Sequence, residues 1–351
     1  MSDSIVKFAE NRVRRAYPGG AGIDKLHGRL NPDDGFTPEE WIASTVFAAN
    51  EGMEPIKNEG LSSSIDGRLL TDILQQDPIY YLGEQHVKAV GCNTGFLLKF
   101  LDSAVRLPLQ AHPSRADALR LLGSPWGKLE CYYILDIRKD VDPYIWLGFQ
   151  KPPTRAQWSE WISSQNLQAI HSCFCKIPVS KGDFWIIPAG LPHAIGEGVL
   201  MIEMMEPSDW VVRCEFEPVK GHLFPPQARF MGLELSEVLD IFDYTPYTPQ
   251  EVTQRYRLST DQDASCTLVT SEQTNCFEAK LLTVEKYQEY CKDDRFAVVI
   301  VVCGSVEIAC GSNKTTLVKG DSALIAAAEQ VLSFTPLSAN SKLCLVSPKC
   351  Y

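Results

Sequence analysis

No run of clustered lysine and arginine occurs anywhere in the chain, and the formal net charge is −11. Phosphate backbones demand such clusters, so nucleic acid is not an expected partner. No apolar stretch approaches the length of a membrane span, and residues 1–15 lack the apolar core of a secretory signal. The expectation is a cytoplasmic protein without a membrane partner. The 12 cysteines include no Cys-x-x-Cys pair, which removes zinc-finger spacing. Scattered thiols in a reducing compartment imply no disulfide framework. Cys173 and Cys175, two apart, would share a face on a strand and could form a thiolate site; small buried apolar residues are the simpler reading.

What is present points to two packed units. A chain of 351 residues is long for one core, and 45% hydrophobic residues supply ample interior. Charged residues at 22% argue against long disordered tails. Thr37-Pro38-Glu39-Glu40 has the form of a helix start, with a Thr cap, Pro at the first position and Glu three after the cap. Trp41 to Phe47 continues equally well as a strand, and both readings stay open. Apolar spacing predicts a helix over 66–76 ended by Pro78, a helix over 114–122 capped by Ser114 and closed by Gly123, and helical stretches over 154–170 and 233–242. Strands are predicted over 95–107 and 129–137. From about 265 onward they dominate: 277–284, 297–302, 305–310, 315–318, 323–326 and 343–346. Many short strands with regular turns imply a barrel or a sandwich.

An internal repeat sharpens this. Gly182 to His193 follows G-x5-P-x-G-x2-H, and Lys319-Gly320-Asp321 repeats Lys181-Gly182-Asp183. In the second copy Ala326 stands for Pro188, Ala328 for Gly190 and Val331 for His193. Two related β-barrels follow, of which only the first can hold a metal by this motif. In that first copy a Pro-x-Gly turn aims His193 inward, where neutral imidazole binds zinc, iron or manganese. A lone buried histidine is more often a satisfied core residue; the case rests on convergence with other ligand types. Gln110 and His112 face one way on a strand, and Glu130 opens the next β-like run. An amide oxygen, two imidazoles and a carboxylate form a mixed site with room for water or substrate, as catalytic metal sites do.

The G-x5-P-x-G-x2-H string resembles the second metal motif of the cupins, which are jelly-roll barrels. The wider set of motifs resembles the type I mannose-6-phosphate isomerase family, also called phosphomannose isomerase, in its short bacterial branch. The segments that carry the likeness are Gly95 to Asp102, Leu109-Gln110-Ala111-His112-Pro113, Gly127-Lys128-Leu129-Glu130-Cys131-Tyr132-Tyr133, Pro188 to Gly196, and Glu206-Pro207-Ser208-Asp209-Trp210-Val211-Val212-Arg213. Ala111, Ser114, Leu129 and Pro207 depart from the family's more usual residues.

The resemblance implies a mainly β fold: two cupin-type jelly-roll barrels plus a small helical portion. Residues 1–240 would form the catalytic domain, with helical insertions, and 241–351 a degenerate barrel without metal ligands. It implies one divalent ion, zinc above the alternatives, held by His112, Glu130, His193 and the weaker Gln110. It implies a phosphorylated hexose as substrate and isomerisation between mannose 6-phosphate and fructose 6-phosphate through an enediol. Lys128, Asp209 and Arg213 take the catalytic positions, Lys128 as base beside the metal. Lys99 matches a family lysine and is an expected substrate-binding residue; Arg115, just after the His112-Pro113 turn, is a phosphate candidate by its position, with a helix surface residue as the simpler reading. Trp126, Tyr132 and Trp185 read as core aromatics, and His27, His86, His171 and His222 match no motif. An isomerase of another sugar, or a cupin that binds a sugar without turnover, is the competing reading. The second barrel is open to three roles: packing partner, lid or homodimer surface.

Overall fold

The computed structural model describes residues 3–50, 52–258 and 265–349. Their strands form four sheets, and every pairing between named strands is antiparallel. A seven-stranded sheet runs Arg257–Leu258, Phe184–Ile187, Glu130–Ile137, Val199–Met205, Leu97–Asp102, Glu39–Ile42, Arg12–Val13. A five-stranded sheet faces it, in the order Val212–Arg213, Gln110–Ala111, His193–Ile195, Tyr144–Leu147, Ile177–Pro178. The C-terminal part makes a six-stranded and a four-stranded sheet. The six-stranded one takes in Ile5–Lys7 from the other end of the chain, with Ile5 opposite Ile325. The expected fold, mainly β with two barrels and a smaller helical part, is the observed one.

Alternation along the strands decides what each barrel encloses. In Glu130–Ile137, residues Tyr132 and Ile134 join Met201, Ile187 and Leu147 in the interior of the first barrel. Cys131, Tyr133 and Leu135 point the other way. They pack with Phe100 and Ile202 against Val298, Ile300, Leu281 and Val346 of the second barrel. The two large sheets therefore lie back to back over a shared apolar layer. The second barrel has its own filling, among it Val299, Val301, Ile308, Leu317 and Phe334.

The repeat is visible in individual hydrogen bonds. Gly182 N donates to Ile134 O at 2.8 Å and Ile134 N to Asp183 O at 2.9 Å. In the second barrel Gly320 N donates to Val301 O at 2.9 Å and Val301 N to Asp321 O at 3.0 Å. Each Asp also accepts from the backbone three residues before it: Ser180 N to Asp183 at 2.9 Å, Val318 N to Asp321 at 3.0 Å. Glu130 is then matched by Ala297, since Glu130 lies opposite Ile187 and Ala297 opposite Ile325. Val331, opposite Cys291, takes the place of His193, opposite Gln110.

Local expectations met three kinds of outcome. The helix Arg115–Leu122 is as expected: Ser114 accepts from Asp117 N, and Gly123 leaves in the left-handed region at φ 64°. Thr154 caps the next helical stretch in a reciprocal box with Gln157, but the chain breaks at Gln165 (φ 50°) into Arg155–Ser164 and Leu167–His171. The helix read over 66–76 begins only at Leu70, because Asp66 is used in a turn that accepts from Ser64 and Arg68. After Thr37-Pro38 the chain forms a strand, not a helix, but one set earlier than Trp41 to Phe47: Glu39–Ile42 pairs with Leu97–Asp102 and ends at Ile42. Its buried Glu39 has partners that a surface helix would not offer: Tyr17, Trp41 and Arg15.

Candidate metal centre and cavity

His112 follows the strand Gln110–Ala111, Glu130 opens Glu130–Ile137, and His193 opens His193–Ile195 directly across from Gln110. The Pro188-Ala189-Gly190 turn brings His193 in. Gly190 sits at φ 86°, a Cβ there would meet Ile241 O at 2.8 Å, and its N–H donates to His112 O at 2.9 Å. One turn thus ties both histidines together. Ala328, its counterpart in the second barrel, has no positive φ, so that turn is built differently.

The triad is closed off from solvent, with exposures of 1%, 0% and 2% for His112, Glu130 and His193. His112 Nδ1 lies 2.8 Å from Trp210 O, and His193 Nδ1 2.9 Å from Leu191 O. Carbonyls only accept, so each Nδ1 carries the hydrogen and each Nε2 presents a lone pair. Those lone pairs face the carboxylate: His112 Nε2 is 3.1 Å from Glu130 Oε1 and His193 Nε2 3.3 Å from Oε2. Both Nε2 atoms and Glu130 Oε1 are buried without a hydrogen-bond partner. Three acceptors converging on one point is costly unless a cation lies between them. One ligand atom from each residue falls within 4.8 Å of the others, which fits a divalent ion.

A second group of the same reach, Glu10, His27 and Glu40, differs in kind. There His27 Nε2 bonds Glu40 at 2.7 Å and Glu10 pairs with Arg29, so the group satisfies itself. At the main triad, burial, Lys128 and the neighbouring His193 outweigh Glu130 and hold the His112 imidazole down to about 4, so it stays neutral. Glu130 is held well below the usual carboxylate range: burial opposes ionisation, but His112 and then Lys128, whose Nζ lies 3.0 Å from Oε1, prevail.

A cavity of about 290 Å³ adjoins the triad. Its lining includes Arg15, Glu39, Lys99, Gln110, Lys128, Glu203, Asp209 and Arg213. Lys99, Glu203 and Tyr132 form a row across three strands of the large sheet, Lys99 opposite Glu203 and Glu203 opposite Tyr132. Lys99 Nζ lies 2.7 Å from Glu203 and 3.4 Å from Glu39. Burial disfavours its charge, yet Glu203 and Glu39 overcome this and raise its pKa. Asp209 lies 3.2 Å from Arg15, and despite burial Arg15, Lys128 and Lys99 hold its carboxyl below the usual range. Burial, with Glu130 and Glu39 nearby, pushes the Glu203 carboxyl up to about 8 against the pull of Lys99 and Lys128.

The structure therefore brings Gln110, Lys128, Lys99, Asp209 and Arg213 to one cavity beside His112, Glu130 and His193. Arg213 donates to Ala228 O and lies over the Phe224 ring at 4.4 Å. Arg115, expected to bind substrate, is the exception. It donates to Glu206 at 3.1 Å and to Cys276 Sγ at 2.7 Å, covers Trp126 at 5.3 Å, and is not among the lining residues. Cys173 and Cys175 lie off any strand, one buried and one exposed. Sequence reasoning missed Arg15, Glu39 and Glu203. Glu203 had left a signal, a single charge inside the apolar run Val199–Met205.

No family model matches the chain. It is 26% identical over 318 residues to a mannose-6-phosphate isomerase of Streptococcus mutans, covering 90% of each sequence. Its fold matches the crystal structure of a mannose 6-phosphate isomerase from Bacillus subtilis, with TM-score 0.73, 19% identity, 98% of this chain and 99% of that one. The apo form of the Salmonella typhimurium enzyme matches with TM-score 0.73, 16% identity, and 99% and 100% coverage. These likenesses bear out the resemblance that the motif blocks carry.

Proposed function

We propose that this chain, a relative of the mannose-6-phosphate isomerases, is a metal-dependent aldose–ketose isomerase acting on mannose 6-phosphate and fructose 6-phosphate through an enediol. The observation that carries the reading is the convergence of His112 Nε2, His193 Nε2 and Glu130 Oε1, buried and unpartnered, beside a cavity lined by cations and carboxyls. Gln110, which lies opposite both His193 and Arg213, is the fourth residue at hand. A divalent ion held there, zinc in this reading, supplies a Lewis acid for the sugar oxygens.

The protein's own groups do the rest. Lys128 Nζ, beside the triad and on the cavity wall, takes the proton from C2 of the aldose and returns it to C1. Glu203, holding a proton near neutral pH, donates it to the C1 carbonyl oxygen as the enediol forms and recovers one from the C2 hydroxyl as the ketone forms. Arg213 and Lys99 supply positive charge for sugar or phosphate oxygens. Asp209 orients Arg15 at the rim and is the candidate to assist ring opening. In this scheme residues 1–240 carry the catalysis. The second barrel, with Ala297 and Val331 at the ligand positions, serves as support.

Among the described residues no helix is long and apolar enough to cross a membrane, and a cytoplasmic site of action is part of the proposal. The test is a coupled assay with mannose 6-phosphate on metal-stripped protein, before and after zinc. Turnover should appear only with the metal. Full activity in the stripped protein would overturn the mechanism, and metal binding without turnover would favour a sugar-binding role.

A further inference from the structure

We propose that Tyr132 is a positioning residue that restricts Glu130 to ligation of the metal through a single oxygen, Oε1. The inference rests on the metal reading above and extends it to a residue that reads from the sequence as a core aromatic.

The two oxygens of Glu130 are not equivalent. Tyr132, two residues along the same strand and therefore on the same face, donates its phenol hydrogen to Oε2 at 2.5 Å. A carboxylate can only accept, so this bond takes one of the two lone pairs of Oε2 and draws electron density from it. Oε1 is left as the buried atom without a hydrogen-bond partner, 3.1 Å from the equally unpartnered His112 Nε2, while His193 Nε2 lies 3.3 Å from Oε2. Lys128 Nζ lies 3.0 Å from Oε1 but is not aligned to donate to it.

A carboxylate with both oxygens free can close on a metal with either or both. One with Oε2 tied down presents one oxygen and leaves a coordination position for the sugar. Tyr132 itself cannot swing away. It is 1% exposed, packed inside the first barrel, and flanked across the sheet by Trp185 and Glu203.

The second barrel supplies an internal control. Ala297 stands there for Glu130 and Val331 for His193. Val299, opposite Ala323 as Tyr132 is opposite Trp185, stands for Tyr132. Where the carboxylate is gone, the phenol is gone too, and the interior is filled by aliphatic packing. A tyrosine kept for volume alone has no reason to follow the ligand.

The experiment uses Tyr132→Phe in the full chain, which removes one oxygen and keeps the ring. Zinc affinity is measured by competition with a chromophoric chelator, and coordination by the visible spectrum of the Co(II)-loaded protein. The zinc dissociation constant is expected to rise roughly 10- to 100-fold. The Co(II) bands should weaken as Glu130 takes up its second oxygen and the coordination number rises. An unchanged dissociation constant together with a superimposable Co(II) spectrum would overturn the proposal. A parent protein that binds neither metal would overturn the metal reading itself, so the two failures are distinguishable. Melting of the metal-free variant checks its fold. If Tyr132→Phe does not fold, 3-fluorotyrosine placed at 132 keeps the shape and donates more strongly. An unshifted Co(II) spectrum there overturns the inference equally.

Discussion

Lys99 and Glu203 face each other at 2.7 Å across the register pair that joins Leu97–Asp102 to Val199–Met205. The contact has the geometry of an ion pair, yet burial, with Glu130 and Glu39 nearby, favours a proton on Glu203. Lys99 and Lys128 oppose this without prevailing over the burial of Glu203. Its folded pKa of about 8 lies above the usual 4.5, chiefly through burial. A group raised in this way stabilises the fold fully below the unfolded value. The contribution is lost as pH climbs from 4.5 through about 8. Metal-free protein is therefore expected to melt at progressively lower temperature as pH rises from about 6 to about 9, and Glu203→Gln should flatten that slope. Calorimetry in the presence of a chelator checks it; a slope unaltered by the substitution would assign the titration to another group.

Much of this site was legible because its signals are local. Ser114, Asp117 and Gly123 mark one helix from end to end, and the Pro188-Ala189-Gly190 turn announces an inward histidine three residues on. What was not legible depends on partners far away in the chain. Glu39 sits in a string that reads as a helix start and becomes a strand because Leu97–Asp102 pairs with it and Tyr17 and Arg15 meet its carboxylate. Arg115 looks like a cation poised by the metal motif, and only the second barrel, bringing Cys276 to it, shows where it is used. The strands Gln288–Cys291 and Val331–Pro336 escaped: the first carries Tyr290 as its one large apolar residue, and in the second only Leu332 and Phe334 alternate inward before Pro336 ends the run.

Lys128→Ala separates metal binding from proton transfer. The triad contributes its ligand atoms without Lys128, so the variant should still bind one zinc per chain. Loss of a general base costs about 10²- to 10⁴-fold in kcat. Elemental analysis beside steady-state kinetics reads both quantities. A variant with near-parental kcat would show that Lys128 is not the base.

Arg115→Ala tests the reassignment of that residue. Its guanidinium meets Glu206, whose side chain is 7% exposed and whose remaining side-chain donor is Thr274 at 3.1 Å. Removing a hydrogen bond to a charged group should destabilise the protein by about 1.5–3 kcal/mol. KM and kcat for mannose 6-phosphate should not move, because Arg115 does not line the cavity. Denaturant melts and kinetics on the same preparation decide it, and a large rise in KM would return Arg115 to the substrate site.

His193→Val writes the second barrel's residue into the first. Valine cannot ligate, and it also leaves Leu191 O without the donor that His193 Nδ1 provides at 2.9 Å. An unpaired buried carbonyl costs about 1–3 kcal/mol, so the metal-free variant should melt below the metal-free parent. The more telling comparison is the response to zinc. A ligand that binds only the folded state stabilises it by about 2.7 kcal/mol at a hundred times its dissociation constant. Added zinc should raise the melting temperature of the parent and leave His193→Val unmoved, with turnover lost in step. An equal zinc-induced rise in both proteins would mean that the metal sits elsewhere, and the geometry of His112, Glu130 and His193 would need another explanation.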